Sequence, residues 1–271
     1  MDLSEFRNIN PVQPVAGYIG GKRQLAKRII NEIEAAPHSV YAEPFLGMGG
    51  VFLRRRLVPK TEVVNDASGD VATLFRILQR HYQAFMDILK WQLTSRTEFE
   101  RLAAQEPESL TDLERAARFL YLQRLSFGGK VSGRTFGIDA ASSARFDITK
   151  LALALKAVHE RLSGVWIECL PWQEFIERWD RPKTLFYLDP PYLGTEHVYG
   201  RGMFERADHT RLADCLRNIR GRFILSLNDN SEARDLYCWA AIRSVDLTYQ
   251  VGRSYPRRRA KELIIIGGGG D

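Results

Sequence analysis

The sequence predicts an open α/β sheet into which one mainly helical segment is inserted. Three observations predict it. Short apolar runs bounded by turn residues recur along the 271 residues. Amphipathic helical patterns lie between them, the alternation expected of an α/β sheet. From 92 to 162 the strand-like runs stop. There the chain reads helical and charged, then loop-like over 126–137, then helical again.

Each element follows from its pattern. Residues 1–15 hold acids and two prolines without an apolar run, unlike a signal peptide. The stretch 24–34 sets Leu25, Ile29, Ile30 and Ile33 on one side at helical spacing. Residues 71–89 and 210–219 read the same way. Strands are expected at 40–45, 62–64, 165–169, 184–188, 223–227, 246–251 and 262–266. Several of these runs are short and rich in Val, Ile, Leu or aromatics, as strands covered on both faces are. The glycine-rich stretch Ser126-Phe127-Gly128-Gly129-Lys130-Val131-Ser132-Gly133-Arg134 mixes hydroxyls and cations. It is a candidate hairpin or binding loop. The glycines at 267–270 read as a frayed end.

Composition excludes several classes. A hydrophobic fraction of 45% supports a real core and argues against disorder. No apolar stretch approaches the roughly 20 residues that span a bilayer, so no membrane association is expected. Cys169, Cys215 and Cys238 lie far apart and form no Cys-x-x-Cys pair. That argues against a disulfide scaffold or a thiolate zinc site and for a reducing, cytoplasmic setting. The net charge of +6 suits a polyanionic partner, because lysine and arginine displace counterions from phosphates.

Three segments carry candidate chemistry. In Leu185-Phe186-Tyr187-Leu188-Asp189-Pro190-Pro191-Tyr192 an apolar strand ends in a carboxylate, two prolines and a ring. Ligands of open α/β sheets bind beyond the carboxyl ends of strands. The prolines fix two φ angles and remove two donors, leaving carbonyl acceptors beside Asp189. Such an acceptor pair with an aromatic face suits a planar ring bearing an amino group. A strand followed by a plain proline turn would read alike. The second segment is Glu43-Pro44-Phe45-Leu46-Gly47-Met48-Gly49-Gly50, where glycines allow close backbone approach to a ligand. Asp66 ends the next strand about 20 residues on, the spacing at which an acid binds a ribose. Phe52 stands where a dinucleotide fingerprint needs a third glycine, which disfavours NAD and FAD. The third segment, Tyr18-Ile19-Gly20-Gly21-Lys22, also reads as a turn before a helix.

Together and in this order, these segments resemble the DNA adenine methyltransferase (Dam) family across nearly the whole chain. Tyr18 to Lys22 resembles its aromatic-x-Gly-Gly-Lys motif, and Glu43 to Gly49 its Glu-Pro-Phe-x-Gly-x-Gly motif. Asn65-Asp66 resembles its acidic motif, and Asp189 to Tyr192 its catalytic motif. Phe204 to Leu212, with Asp208-His209 opening a helix, and the final Glu262-Leu263-Ile264-Ile265 are also similar. Leu225-Ser226-Leu227-Asn228 is similar to a strand ending in Ser-Asn, although Leu227 interrupts the pair.

The resemblance implies a Rossmann-like methyltransferase fold with a seven-stranded, mostly parallel sheet, one strand reversed. It implies a catalytic domain of residues 1–75 and 163–271 around an inserted, mainly helical target-recognition domain at 76–162. A DNA-contacting hairpin is then expected at 123–138. The implied cofactor is S-adenosyl-L-methionine, leaving as S-adenosyl-L-homocysteine, with no metal. The implied substrate is an adenine flipped out of double-stranded DNA. Asp189 and the Pro190 carbonyl would accept from its amino group, Pro191 would stiffen the turn, and Tyr192 would stack on the ring. Tyr18, Lys22, Glu43, Phe45, Gly47, Gly49, Asp66 and Asp189 would hold the cofactor. Arg124, Lys130, Ser132, Arg134, Arg257, Arg258 and Arg259 are the candidate DNA contacts. The 253–261 charge run also suits a solvated loop. GATC-reading members carry an Asn-Gly-Leu-Tyr-Arg type stretch where this chain has Gly128-Gly129-Lys130-Val131-Ser132, so GATC specificity is not carried over. A bacterial or phage origin is expected, and both a monomer and a homodimer stay open. An RNA adenine methyltransferase, a binder on a decayed methyltransferase fold and a nucleotide-dependent oxidoreductase are the competing readings. Intact Asp189, Asp66 and Lys22 speak against decay.

Overall fold

The computed structural model describes residues 6–22, 24–137, 145–199, 202–249 and 258–269. The first half of the chain forms β1 (Arg7–Asn8), α1 (Ala26–Ala35), β2 (Val40–Glu43), β3 (Leu57–Val58), β4 (Thr61–Asn65), α2 (Gly69–Arg80), α3 (Tyr82–Leu89), α4 (Arg96–Ala103) and α5 (Asp112–Leu125). The second half forms α6 (Ile148–Arg161), β5 (Trp166–Glu168), α7 (Trp172–Trp179), β6 (Thr184–Leu188), α8 (Arg206–Arg217), β7 (Arg222–Asn228), α9 (Ser231–Leu236), β8 (Ala241–Tyr249) and β9 (Arg258–Gly268). Seven strands make one sheet in the order β5-β4-β2-β6-β7-β9-β8. The pairs from β5 through β7 are parallel, and β9 runs antiparallel to both its neighbours. The expected mostly parallel sheet with one reversed strand is therefore present. β1 and β3 pair separately as a two-stranded antiparallel ribbon.

Both faces of the sheet are covered, and the strands show it by alternation. Tyr187 and Ile224 belong to one apolar cluster, while Phe186, Leu188, Phe223 and Leu225 belong to the other. A side-chain period of two sends successive residues to opposite faces. Residues of α7, α8 and α9 fill the second cluster. Residues of α2 to α6 fill the first, together with the sheet residues Tyr41 and Val64. The helical stretch between β4 and β5 thus shares the core of the sheet face it covers.

The helix expected over 71–89 is two helices, broken at His81, whose φ of −128° and ψ of 32° are not helical. The periodicity runs through the break because both halves bury their apolar sides in one cluster. A capping box starts α5, with Thr111 Oγ1 accepting from the Glu114 amide and Glu114 reaching back to the Thr111 amide. The ribbon β8–β9 is longer than its apolar residues suggest, because Arg243, Asp246 and Lys261 take part in the ladder. An edge ladder tolerates charge on its open side, and backbone pairing outweighs local preference there. Gln250 and Val251, the end of that expected strand, lie outside the described residues. Gly267 and Gly268 are not a frayed end: they close β9 opposite Phe223 and Arg222. A Cβ on Gly267 would lie 2.7 Å from the Phe223 ring, so the close pairing excludes a side chain. Gly270 lies outside the described residues.

One buried ion cluster ties the helical stretch to the sheet. Glu62 of β4 accepts from Arg55 at 2.9 Å and from two nitrogens of Arg161 of α6 at 2.7 Å each. The Arg55 guanidinium also lies 3.6 Å from the centroid of Tyr41, which is on β2.

Candidate active site

The chain order reverses between β2 and β6, since β4 lies on one side of that pair and β7 on the other. Such a switch point opens a crevice beyond the strand ends. A cavity of about 380 Å³ occupies it, lined among others by Lys22, Glu43, Phe45, Gly47, Asp66 and Asp189. Residues from seven separate stretches of sequence meet there, Arg124, Trp172 and Phe204 among them.

The turn after β2 forms one wall. Gly47 and Gly49 have φ of +51° and +71°, a region open to glycine and strained for other residues. A Cβ on Gly47 would also lie 2.9 Å from the Tyr18 ring. Asp66 fastens this turn: Oδ2 accepts from the Gly47 amide at 2.8 Å and Oδ1 from the Ser68 amide at 2.9 Å. Desolvation by the surrounding walls raises its carboxyl to about 6, against those two donors, which pull it down. Asn65 braces the same turn by donating to the Pro44 and Leu170 carbonyls at 3.0 Å each. Glu43 is buried and accepts from the Tyr41 hydroxyl at 2.5 Å. Burial raises it to about 8, so it carries a proton at neutral pH.

The strand end of β6 forms the other wall. Asp189 Oδ1 accepts from Lys22 Nζ at 2.7 Å and from Ser226 Oγ at 3.0 Å. Oδ2 makes no hydrogen bond among the described residues, and Asp189 keeps 21% side-chain exposure into the cavity. Burial raises the Asp189 carboxyl above its ordinary value, and the Lys22 ammonium pulls it back. Lys22 is itself buried, donates to the Tyr192 hydroxyl at 2.6 Å and sits 4.4 Å from the centroid of that ring. Ser226 and Asn228 both serve this wall. Asn228 pairs with the backbone of Leu193, accepting from its amide and donating to its carbonyl at 3.1 Å each. Leu227 between them points into the apolar cluster on the other face. The interruption seen in the sequence is what a period of two requires of two side chains on one face.

A strand-end carboxylate at a sheet switch point, beside a glycine turn and a second strand-end acid, is the arrangement the sequence motifs imply, and the fold adds the clamping of one Asp189 oxygen. A family model described as D12 class N6 adenine-specific DNA methyltransferase matches residues 18–251. The chain belongs to that family. Among curated proteins it is 25% identical to the type II methyltransferase M1.LlaDCHI of Lactococcus lactis subsp. cremoris over 284 aligned residues, covering 98% of each chain. It is 22% identical to the type II methyltransferase M.CviBI of Paramecium bursaria Chlorella virus NC1A, covering 83% of this chain and 86% of that one. Among solved structures it aligns with a precorrin 8w decarboxylase from Methanobacterium thermoautotrophicum at a TM-score of 0.39 and 12% identity, over 90% and 89% of the two chains. That likeness is too remote to inform function. The protein is thus an adenine-specific DNA methyltransferase that depends on S-adenosylmethionine.

Most residues expected to hold the cofactor of this methyltransferase line the cavity: Tyr18, Lys22, Glu43, Phe45, Gly47, Asp66 and Asp189. Gly49 does not line it and instead packs on Leu53 and Phe75, with no room for a Cβ. Pro191 lines the cavity, while Pro190 and Tyr192 adjoin it without lining it. The expected DNA contacts divide. Lys130 and Ser132 are exposed, and Ser132 Oγ donates to the Val198 carbonyl at 2.9 Å. The Arg124 guanidinium donates to the carbonyls of Arg145 and Val15. That of Arg134 donates to Lys130 O and Gln123 Oε1 at 3.3 Å each and lies over the Phe119 ring. Both of these arginines are half-buried and engaged by the fold. Arg257 lies outside the described residues, and Arg258 and Arg259 begin β9.

Sequence reading passed over Tyr41, Trp172, Met203 and Tyr187, and gave Ser226 and Glu262 no role at the site. Alternation along the β2 and β7 strands could have placed Tyr41 beside Glu43, and Ser226 on the face of Asn228. No local signal marks Trp172 or Met203. Among the described residues no helix is long and apolar enough to cross a membrane, and no cluster of His, Cys, Asp or Glu is arranged to hold a metal ion.

Proposed function

We propose that this enzyme methylates the amino nitrogen of an adenine flipped out of duplex DNA, with Asp189 Oδ2 and the Pro190 carbonyl as the acceptors of that amino group. The observation that carries this reading is the clamping of Asp189 Oδ1 by Lys22 and Ser226. The amino nitrogen is a weak nucleophile because its lone pair is delocalised into the ring. Accepting both amino protons in fixed directions localises the lone pair, and a held carboxylate does so without reorganising. Burial makes Asp189 more basic than an ordinary aspartate, which suits Oδ2 to take the proton the nitrogen sheds. The Tyr192 ring, fixed by Lys22, offers a stacking face.

The cavity fits the cofactor. Asp66 is an acceptor for ribose hydroxyls, Phe45, Trp172 and Phe204 make an apolar wall for a purine, and Tyr18 and Lys22 close the opposite side. S-adenosylmethionine, when bound, supplies an electrophilic methyl group on a cationic sulfur. Positioning and electrostatics by the residues named above do the rest.

We assign residues 1–75 and 163–271 to catalysis and 76–162 to target recognition, with the glycine loop at 126–137 facing the duplex. Lys130 and the 257–259 arginines are the phosphate contacts in this reading, while Arg124 and Arg134 support the loop. Three free thiols and a DNA substrate favour a cytoplasmic setting in a bacterial or phage-infected cell.

The test incubates the protein with methyl-labelled cofactor and duplex DNA, then digests the DNA to nucleosides. Label is expected in N6-methyladenine for wild type and in no nucleoside for Asp189→Ala. Turnover by Asp189→Ala within about tenfold of wild type would overturn the assignment, as would label in cytosine.

A further inference from the structure

The end of the sheet opposite the crevice is strongly basic. There the starts of β4, β2, β6 and β7 lie side by side. The Thr61 amide donates to the Ser39 carbonyl at 3.2 Å, and the Ser39 amide to the Lys183 carbonyl at 3.0 Å. Gly221 continues the row, packed so closely that a Cβ on it would lie 2.5 Å from the Thr184 carbonyl oxygen. Lys60, Arg181, Lys183 and Arg220 leave the chain along this row, and all four are exposed. Arg7 of β1 and Arg56, just before β3, add two more exposed cations beside the start of β4.

None of these six cations makes an ion pair among the described residues. Asp180 stands between Arg181 and Arg220, but its carboxylate accepts from the Arg220 and Gly221 amides at 2.8 to 3.1 Å. Arg222 is set apart, since its side chain packs over Gly269. Like charges held side by side repel each other, and an anion laid along them relieves that cost.

The shape of the row favours a linear polyanion. Neighbouring strands are about 4.8 Å apart, so four strand starts span about 15 Å. A duplex carries one negative charge per about 1.7 Å of axis, which puts about eight charges along that length. A protein partner would also need apolar anchors. The large exposed apolar side chains, Trp91, Leu93, Leu153 and Trp166, stand on other elements. A strand rises about 3.3 Å per residue, so the start of β6 lies about 20 Å from Asp189. A duplex whose adenine enters the crevice lies beyond Asp189, away from this end.

We propose that the strand-start row is a second, sequence-independent duplex site, which holds the phosphate backbone of another DNA segment while the crevice is engaged. The proposal rests on the reading that the crevice takes duplex DNA. It adds a route for passing between segments without release into solution.

Sedimentation of the full chain with a duplex of about 12 base pairs, at about 50 mM salt, counts the duplexes bound per chain. Wild type should bind two. The variant Lys60→Ala with Arg181→Ala, Lys183→Ala and Arg220→Ala should bind one. Its single-turnover methylation rate at saturating DNA should match wild type, because the four side chains are exposed and do not line the cavity. The second binding event of wild type should weaken with salt at a log–log slope of about three to four, as four phosphate contacts require. One duplex per wild-type chain, or two per variant chain, overturns the proposal. So does displacement of the second duplex by polyglutamate at a lower charge concentration than by DNA, which would assign the row to an acidic protein. If wild type methylates no adenine, the reading of the crevice fails. A count of one duplex with methylation intact defeats this proposal alone.

Discussion

Gly129 packs against the backbone of Tyr18 so closely that a Cβ on it would lie 3.0 Å from the Tyr18 nitrogen. The Gly129 carbonyl accepts from the Ile19 amide at 3.0 Å, and Gln123 Nε2 donates to both Gly129 O and Gly17 O. The glycine loop thus rests on the segment that carries Lys22 to Asp189. Gly128 and Gly129 share a φ of +68°, but a Cβ on Gly128 would meet nothing within 4 Å. Alanine at either position should cost about 1–2 kcal/mol of backbone strain. Only Gly129→Ala should also weaken cofactor binding, by displacing Tyr18 to Lys22. Urea unfolding with calorimetry on both variants checks this, and equal cofactor affinities would show that the contact transmits nothing.

Asp66→Ala should weaken S-adenosylmethionine binding. One or two charge-assisted hydrogen bonds to the ribose would be lost, at roughly 1.5–3 kcal/mol each. Because Asp66 also accepts from the Gly47 and Ser68 amides, stability should fall as well. Calorimetric titration reads the first effect and chemical denaturation the second. An unchanged dissociation constant would remove Asp66 from the cofactor site.

Glu43 makes stability depend on pH in a definite direction. Its carboxyl rises from 4.5 to about 8 on folding, chiefly because burial disfavours the charged form. Between those values the folded protein holds a proton that the unfolded chain releases. The Glu43 contribution is therefore fully present below 4.5 and is lost as pH rises through about 8. Asp66, raised to about 6, adds the same sign over a lower window. Glu43→Gln mimics the protonated acid, so its melting temperature should match wild type near pH 5 and exceed it near pH 8.5, about half a unit above the folded value. Parallel melting curves across that range would contradict the assignment.

The arginines at 257–259 should contribute phosphate contacts that position the duplex without reading it. Replacing all three with alanine should reduce the salt slope of DNA binding by about one unit for each phosphate no longer neutralised, on specific and random duplexes alike. An unchanged slope removes them from the interface. A weakening confined to the specific duplex would mean that this stretch reads bases.

The motifs were legible because each needs particular residues in consecutive positions. Asp189 to Tyr192 needs a carboxylate and two prolines at a strand end, and Gly47 needs a backbone that no other residue adopts at low cost. The helix break at His81 was not legible, since both flanking helices obey one periodicity. The length of β9 was hidden for a related reason. Lys261 and the closing glycines Gly267 and Gly268 have weak strand preference and enter the ladder only because β7 and β8 supply partners.

By itself the sequence determined the alternation of strands and helices, the glycine turn, the strand-end acids and the adenine methyltransferase family to which they belong. These depend on residues close together in the chain, where backbone preferences and spacing speak directly. Only the tertiary structure decided that Lys22 answers both Asp189 and Glu262, that Ser226 clamps one oxygen of Asp189, and that Arg124 and Arg134 are bound by the fold. Those pairings join residues far apart in sequence. Burial and charge act through space, so they exist only once the sheet has brought its strand ends together.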